Sequence, residues 1–143
     1  MEIKQFTATK GFIVHEGKIL IVRESGEYKD GINVKKYGVP GGRINPGERF
    51  DDCLRREVME EAGLKITIGR PFFVSEWRPV VRGENWQITA IFFECFAENN
   101  DVKLSSDHDD FQWISPEDYK NYALIDDEIK VFEEYLKFIK NGN

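Results

Sequence analysis

Residues 42–64 read Gly42-Arg43-Ile44-Asn45-Pro46-Gly47-Glu48-Arg49-Phe50-Asp51-Asp52-Cys53-Leu54-Arg55-Arg56-Glu57-Val58-Met59-Glu60-Glu61-Ala62-Gly63-Leu64. The run from Phe50 to Ala62 lacks glycine and proline and is closed by Gly63, the pattern of a helix with a C-terminal glycine. Pro46-Gly47 and, further upstream, Tyr37-Gly38-Val39-Pro40-Gly41-Gly42 are turn-forming, so the stretch is loop, helix, loop. At about 3.6 residues per turn, Glu57 and Glu61 lie one turn apart with Glu60 beside them, and three carboxylates converge. A cluster of glutamates is ordinarily a solvated face. Here Glu57 and Glu61 share a sector with Phe50 and Leu54, the side expected to face the protein, while Asp52, Arg56 and Met59 point elsewhere. Inward carboxylates are costly unless paired or bound to a metal. Oxygen ligands of this kind suit a hard ion, Mg²⁺ or Mn²⁺.

Upstream, Phe6–Val14 and Ile19–Arg23 read as strands joined by a hairpin at His15-Glu16-Gly17-Lys18. The polar segment from Ser25 to Lys36 reads as a loop that can help admit substrate. Downstream, residues 66–81 and 86–97 are rich in β-formers, with a turn at Gly83-Glu84-Asn85 and with Pro71 and Pro79 interrupting or ending the first strand. Ser115-Pro116 predicts a short helix capped by the serine. A last helix is predicted over 126–140, with Ile129, Phe132, Leu136 and Ile139 as its core stripe. Neither repeats nor linkers interrupt the chain, so a single α+β or α/β/α domain over residues 1–143 is expected.

The 143 residues are 41% hydrophobic and 32% charged, a globular composition. A net charge of −6 argues against a protein that grips a nucleic-acid backbone, which needs a basic surface. A polyanionic ligand must instead meet local charges or metal ions. Cys53 and Cys95 are too few for a disulfide framework, and no apolar run has the length of a signal peptide or membrane span. A cytoplasmic enzyme is the expectation.

Residues 42–64 resemble the Nudix signature: Gly, five residues, Glu, seven residues, then Arg-Glu-aliphatic-any-Glu-Glu-any-Gly-aliphatic. Gly42, Glu48, Arg56, Glu57, Glu60, Glu61 and Gly63 meet every fixed position, with Val58 and Leu64 at the aliphatic ones. At typical residue usage such a match arises by chance on the order of once in 10⁹ windows. The hairpin before the box, the strands after it, Trp113-Ile114-Ser115-Pro116 and the terminal helix also follow the order of elements in Nudix (MutT-like) hydrolases. The resemblance implies an α/β/α sandwich with a mixed central sheet and a loop-helix-loop catalytic segment.

It also implies Mg²⁺-dependent (or Mn²⁺-dependent) attack of water on a diphosphate linked to another moiety. By similarity, Glu57, Glu60 and Glu61 are metal-binding and catalytic acids, with any of them open as general base and Glu57 the first choice. The Gly41 carbonyl is a backbone ligand, Arg56 orients Glu57, and Glu48 is a supporting acid or weaker ligand. Arg23 lies where family members place a phosphate-contacting arginine, although an ordinary strand arginine fits as well. A further carboxylate usually comes from outside the box. Asp107, in a segment similar to the family's Glu-His before Trp, competes for that role with Glu94, which strand alternation puts on the face of Ile88, Ala90 and Phe92. His108 reads as a loop residue.

Tyr37, Trp77 and Trp86 offer aromatic faces for a base, or ordinary core packing. The expected partner is a small nucleotide or nucleoside diphosphate derivative, with no membrane and no nucleic acid, and a homodimer is compatible with the sequence. Hydrolysis of nucleoside triphosphates to monophosphate and pyrophosphate ranks first. Hydrolysis of ADP-ribose or a nucleotide sugar is the alternative, suggested by Pro79, sixteen residues after Gly63. Nudix domains that only sense nucleotides often lack box glutamates, and all four are present here. Isopentenyl-diphosphate isomerisation calls for a cysteine in a context that neither Cys53 nor Cys95 has.

Overall fold

In the computed structural model, which describes residues 1–29 and 31–142, a mixed sheet is built around a long first strand. This strand, β1 (Ile3–His15), turns tightly into β2 (Lys18–Glu24) through Glu16 and Gly17, both at positive φ, the two-residue hairpin expected. The short β3 (Tyr37–Gly38) and β4 (Gly41–Arg43) lead into α1 (Phe50–Ala62). Next come β5 (Ile66–Trp77), β6 (Val80–Val81) and β7 (Glu84–Ala97). The chain ends with β8 (His108–Ile114), a 3₁₀ turn (Pro116–Asn121) and α2 (Asp126–Lys140). The expected loop from Ser25 to Lys36 contains Asp30, which lies outside the described residues.

The sheet order is β3-β2-β1-β7-β5, with β8 on β2, β6 on β7 and β4 on β1. Parallel pairing of β1 with β7 runs from Ile3 opposite Asn85 to Val14 opposite Phe96. On its other edge β1 holds β2 only at Val14–His15, and β4 takes over at Ala8–Lys10. The sheet therefore splits along β1, and a cleft opens at the split.

Alternation along the strands divides the core into two layers. Leu54, Val58 and Ala62 of α1 pack on Ile13, Leu20, Val22, Phe93 and Cys95 on one face. Val131, Phe132 and Tyr135 of α2 pack on Phe12, Ile19, Ile21 and Phe92 on the other. This is the α/β/α sandwich expected. Ile13 is wholly buried against the α1 layer, so Ile13→Val costs about 0.5–1.5 kcal/mol, to be read as a lower urea midpoint with an unchanged slope.

Several local expectations need correction. The stripe of α2 is rotated: Ile129 and Ile139 are 40% and 37% exposed, while Glu128 is buried. Phe50 is 44% exposed because it opens α1 at the edge of the layer, where it stacks on Phe93. Ser115 makes no side-chain cap, and the helix it precedes is a 3₁₀ turn. The turn before β7 is Arg82-Gly83, both at positive φ. Pro71 sits at register shifts within β5, where a missing N–H is tolerated. The residues from His108 to Ile114, for which no strand was expected, form β8.

Candidate active site

A cleft of about 1010 Å³ runs from the C-terminal half of α1 to the Trp86 end of β7. Glu48, Glu57, Glu60 and Glu61 line it from the box, and Glu24, Asp107 and His108 line it from outside the box. The side chains of Glu57 and Glu61 are 18% and 12% exposed, so the inward direction read from helical spacing holds for these two. Glu60 is 57% exposed and stands at the rim, 3.4 Å from Arg56. Among the described residues, no three acidic, histidine or cysteine side chains are gathered closely enough to enclose an ion by themselves. Mg²⁺ does not require such a cage, because it keeps several waters and shares its sphere with substrate phosphates.

Arg56 ties this end together. Its Nε and Nη2 donate to the two carboxylate oxygens of Glu48 at 2.8 and 3.0 Å, and Nη1 donates to Glu57 Oε1 at 2.9 Å. This forked pairing fixes a loop acid and a helix acid to one planar group. Hydrogen bonds from Arg56 and from the Asn45 N–H hold the Glu48 carboxyl down at about 2. Gly42 makes the approach of Glu57 possible: a Cβ there would lie 2.4 Å from Glu57 Cδ. Gly41, opposite Lys10 in the β1–β4 ladder, donates its N–H to Glu61 Oε2 at 3.4 Å.

The electrostatics fit a cation. Burial, and then the neighbouring Glu57 carboxylate, push the Glu61 pKa well above the usual carboxylate range. All three glutamates also lie in the second half of a helix with no basic residue in its last turn, where the macrodipole disfavours negative charge. A divalent ion would relieve both penalties. His108 is pushed down to about 4 by burial and by Lys10. Its Nε2 lies 3.7 Å from Glu61 Oε1, and its buried Nδ1 has no protein partner.

The opposite end is aromatic. Phe6 and Trp86 meet edge to face at 4.8 Å, Trp77 and Ile88 complete the wall, and the Arg43 guanidinium lies 4.4 and 4.6 Å from the Phe6 and Trp86 ring centroids.

The cleft brings together Gly41, Glu48, Glu57, Glu60, Glu61, Trp77, Trp86 and Asp107, with Arg56 behind them. Three other candidates lie elsewhere. Arg23 donates to Asp109 at 2.7 Å, and Tyr37 donates its hydroxyl to Asp110; neither lines the cleft. Glu94 accepts a 2.7 Å hydrogen bond from Tyr135 in the α2 layer, whereas Asp107 lines the cleft, as does Glu24. Lys10 and Glu128 were not anticipated. Alternation signals Lys10, which occupies a core-facing place between Ala8 and Phe12.

A mixed sandwich with box carboxylates at the split of its sheet is the arrangement of a hydrolase of phosphorus anhydrides. Residues 6–135 match the NUDIX domain, and the chain belongs to that family, whose hydrolases generally need a divalent metal. Nucleoside triphosphatase NudI of Klebsiella pneumoniae (strain 342) is 29% identical over 132 residues, covering 85% of this chain and 90% of that protein. Nucleoside triphosphatase NudI of Escherichia coli (strain K12) is 30% identical over 129 residues, with the same coverage. The crystal structure of a MutT protein from Methanosarcina mazei Go1 superposes with a TM-score of 0.85 at 27% identity, covering 98% of this chain and 99% of that one. No helix among the described residues is long and apolar enough to cross a membrane.

Proposed function

We propose that this chain hydrolyses nucleoside triphosphates to the monophosphate and pyrophosphate, with Mg²⁺ as its metal. The observation that carries the reading is one cleft joining two chemistries: buried Glu57 and Glu61 at one end, and the Phe6, Trp77 and Trp86 faces at the other. The acids suit a hard cation and the diphosphate it accompanies, and the aromatic end offers flat surfaces to a base. Similarity over 85% of the chain to proteins named nucleoside triphosphatases supports the triphosphate.

When bound, Mg²⁺ supplies positive charge to the phosphate oxygens and makes the attacking water more acidic. The side chains do the rest. Glu57, oriented by Arg56, accepts the proton of the water; the hydroxyl goes to the attacked phosphorus, and the bridging oxygen leaves with the other product. Glu61 and Glu60, with Glu48 and Asp107 in support, and the Gly41 carbonyl are the candidate metal ligands. Pro79, which suggested the ADP-ribose alternative, does not line the cleft, and its carbonyl accepts the Trp86 backbone N–H at 3.0 Å. A small-molecule partner and a cytoplasmic setting belong to the same proposal.

The test is product analysis by ion-exchange chromatography over a panel of triphosphates, ADP-ribose and a nucleotide sugar, with Mg²⁺. Equal amounts of monophosphate and pyrophosphate from a triphosphate are expected. Diphosphate plus orthophosphate, faster cleavage of ADP-ribose, or nucleotide binding without turnover would each overturn the reading.

A further inference from the structure

Among the core-facing residues of β1 is one cation, Lys10, whose ammonium pairs with Glu128 Oε2 of α2 at 3.4 Å; the two side chains are 16% and 3% exposed. The other Glu128 oxygen accepts the Val39 N–H at 2.8 Å, and a Cβ on Gly38 would stand 3.1 Å from that oxygen. Glu128 thus anchors the strand that leads into the box. The stem of Lys10 runs over Gly41, where a Cβ would lie 3.0 Å from Lys10 Cδ, and the Gly41 N–H in turn meets Glu61. The ammonium therefore pairs with Glu128 at the wall of the cleft that Glu57 and Glu61 also line.

We propose that Lys10 and Glu128 form a buried charge brace that positions the Gly38–Gly42 lead-in against Glu57 and Glu61 and sets how tightly the site holds a divalent cation. The inference rests on the metal-dependent reading above. The 3.4 Å pairing with Glu128 and the passage of the Lys10 stem over Gly41, whose N–H meets Glu61, hold the ammonium as a fixed positive charge beside the ion's place. It repels a second cation there, and Glu128 tempers that repulsion. Lys10 and Glu128 are positioning residues, since neither is placed on the reacting atoms.

The two halves of the brace give opposite signs. Lys10→Met removes repulsion and tightens divalent binding. Glu128→Gln keeps an oxygen for Val39 and leaves Lys10 uncompensated, which weakens binding. Charges a few ångströms apart at the edge of a protein interact strongly enough for about threefold to tenfold shifts each way.

The experiment is titration of the protein with Mn²⁺ alone, read by electron paramagnetic resonance of the free ion, with thermal melting as a check of folding. Lys10→Arg should bind as the wild type does, and Lys10→Met combined with Glu128→Gln should return towards it. If Lys10→Met fails to fold, Glu128→Gln and Lys10→Arg still decide the matter. Folded single variants that both weaken binding, or leave it unchanged, overturn the brace while leaving the hydrolase reading intact. A wild type that binds no Mn²⁺ overturns the metal-dependent reading itself, and the brace with it.

Discussion

Glu57→Gln is expected to lower kcat by about 10²- to 10⁴-fold, the range for loss of a positioned general base, with KM for the triphosphate little changed. The amide retains an oxygen where Glu57 Oε1 accepts from Arg56, so the Arg56 fork and its hold on Glu48 survive. The variant also removes a charge that crowds Glu61, so its melting temperature should equal or exceed that of the wild type. A steady-state comparison over a range of Mg²⁺ separates the two roles open to Glu57. If saturating Mg²⁺ restores kcat, Glu57 is only a ligand and another glutamate takes the proton. If turnover is unchanged throughout, Glu57 has neither role.

How much of this site was legible in the sequence depends on where each residue's partner lies. The box was readable because its logic is local: Arg56, Glu57 and Glu61 share one helix, and helical spacing states which side they face. The hairpin at Glu16-Gly17 is local in the same way. Arg23 was assigned to substrate by its likeness to the family's phosphate-contacting arginine, and Tyr37 by its aromatic face. Their partners, Asp109 and Asp110, lie on β8, whose polar start lowers its strand propensity and hid it. One missed strand therefore hid both pairings. β8 forms because β2 offers it a paired edge from Ile19 to Glu24, and those charges are consumed in cross-strand pairs.

The stripe of α2 failed for a related reason. Spacings of three and four fit two adjacent faces that share Phe132, and counting apolar residues chose the face with Ile129 and Ile139. The helix instead turns Glu128 inward, because Lys10 and the Val39 N–H give it partners far away in the chain. A buried ion pair reads as two surface residues until the fold brings them together.

Gly42→Ala should cost activity without costing stability. The new methyl would stand 2.4 Å from Glu57 Cδ and 2.6 and 2.7 Å from its oxygens, distances at which something must move. The backbone of Gly42 is held in the ladder opposite Thr9, and α1 is fixed by the burial of Leu54 and Val58. The Glu57 carboxyl, at the end of a flexible side chain, is what gives way. A displacement of about an ångström in a catalytic group costs on the order of 10²-fold in rate. The move also pulls Glu57 from the Arg56 Nη1 that orients it, so the loss falls on kcat more than on KM. Because Glu57 is a charged end and not core, the melting temperature should change by little. Activity that survives in Gly42→Ala would mean that the carboxyl is free to work from another position, and the close contact of loop and helix would lose its catalytic meaning. A rate loss accompanied by an equal loss of stability would instead assign Gly42 to the β1–β4 ladder alone.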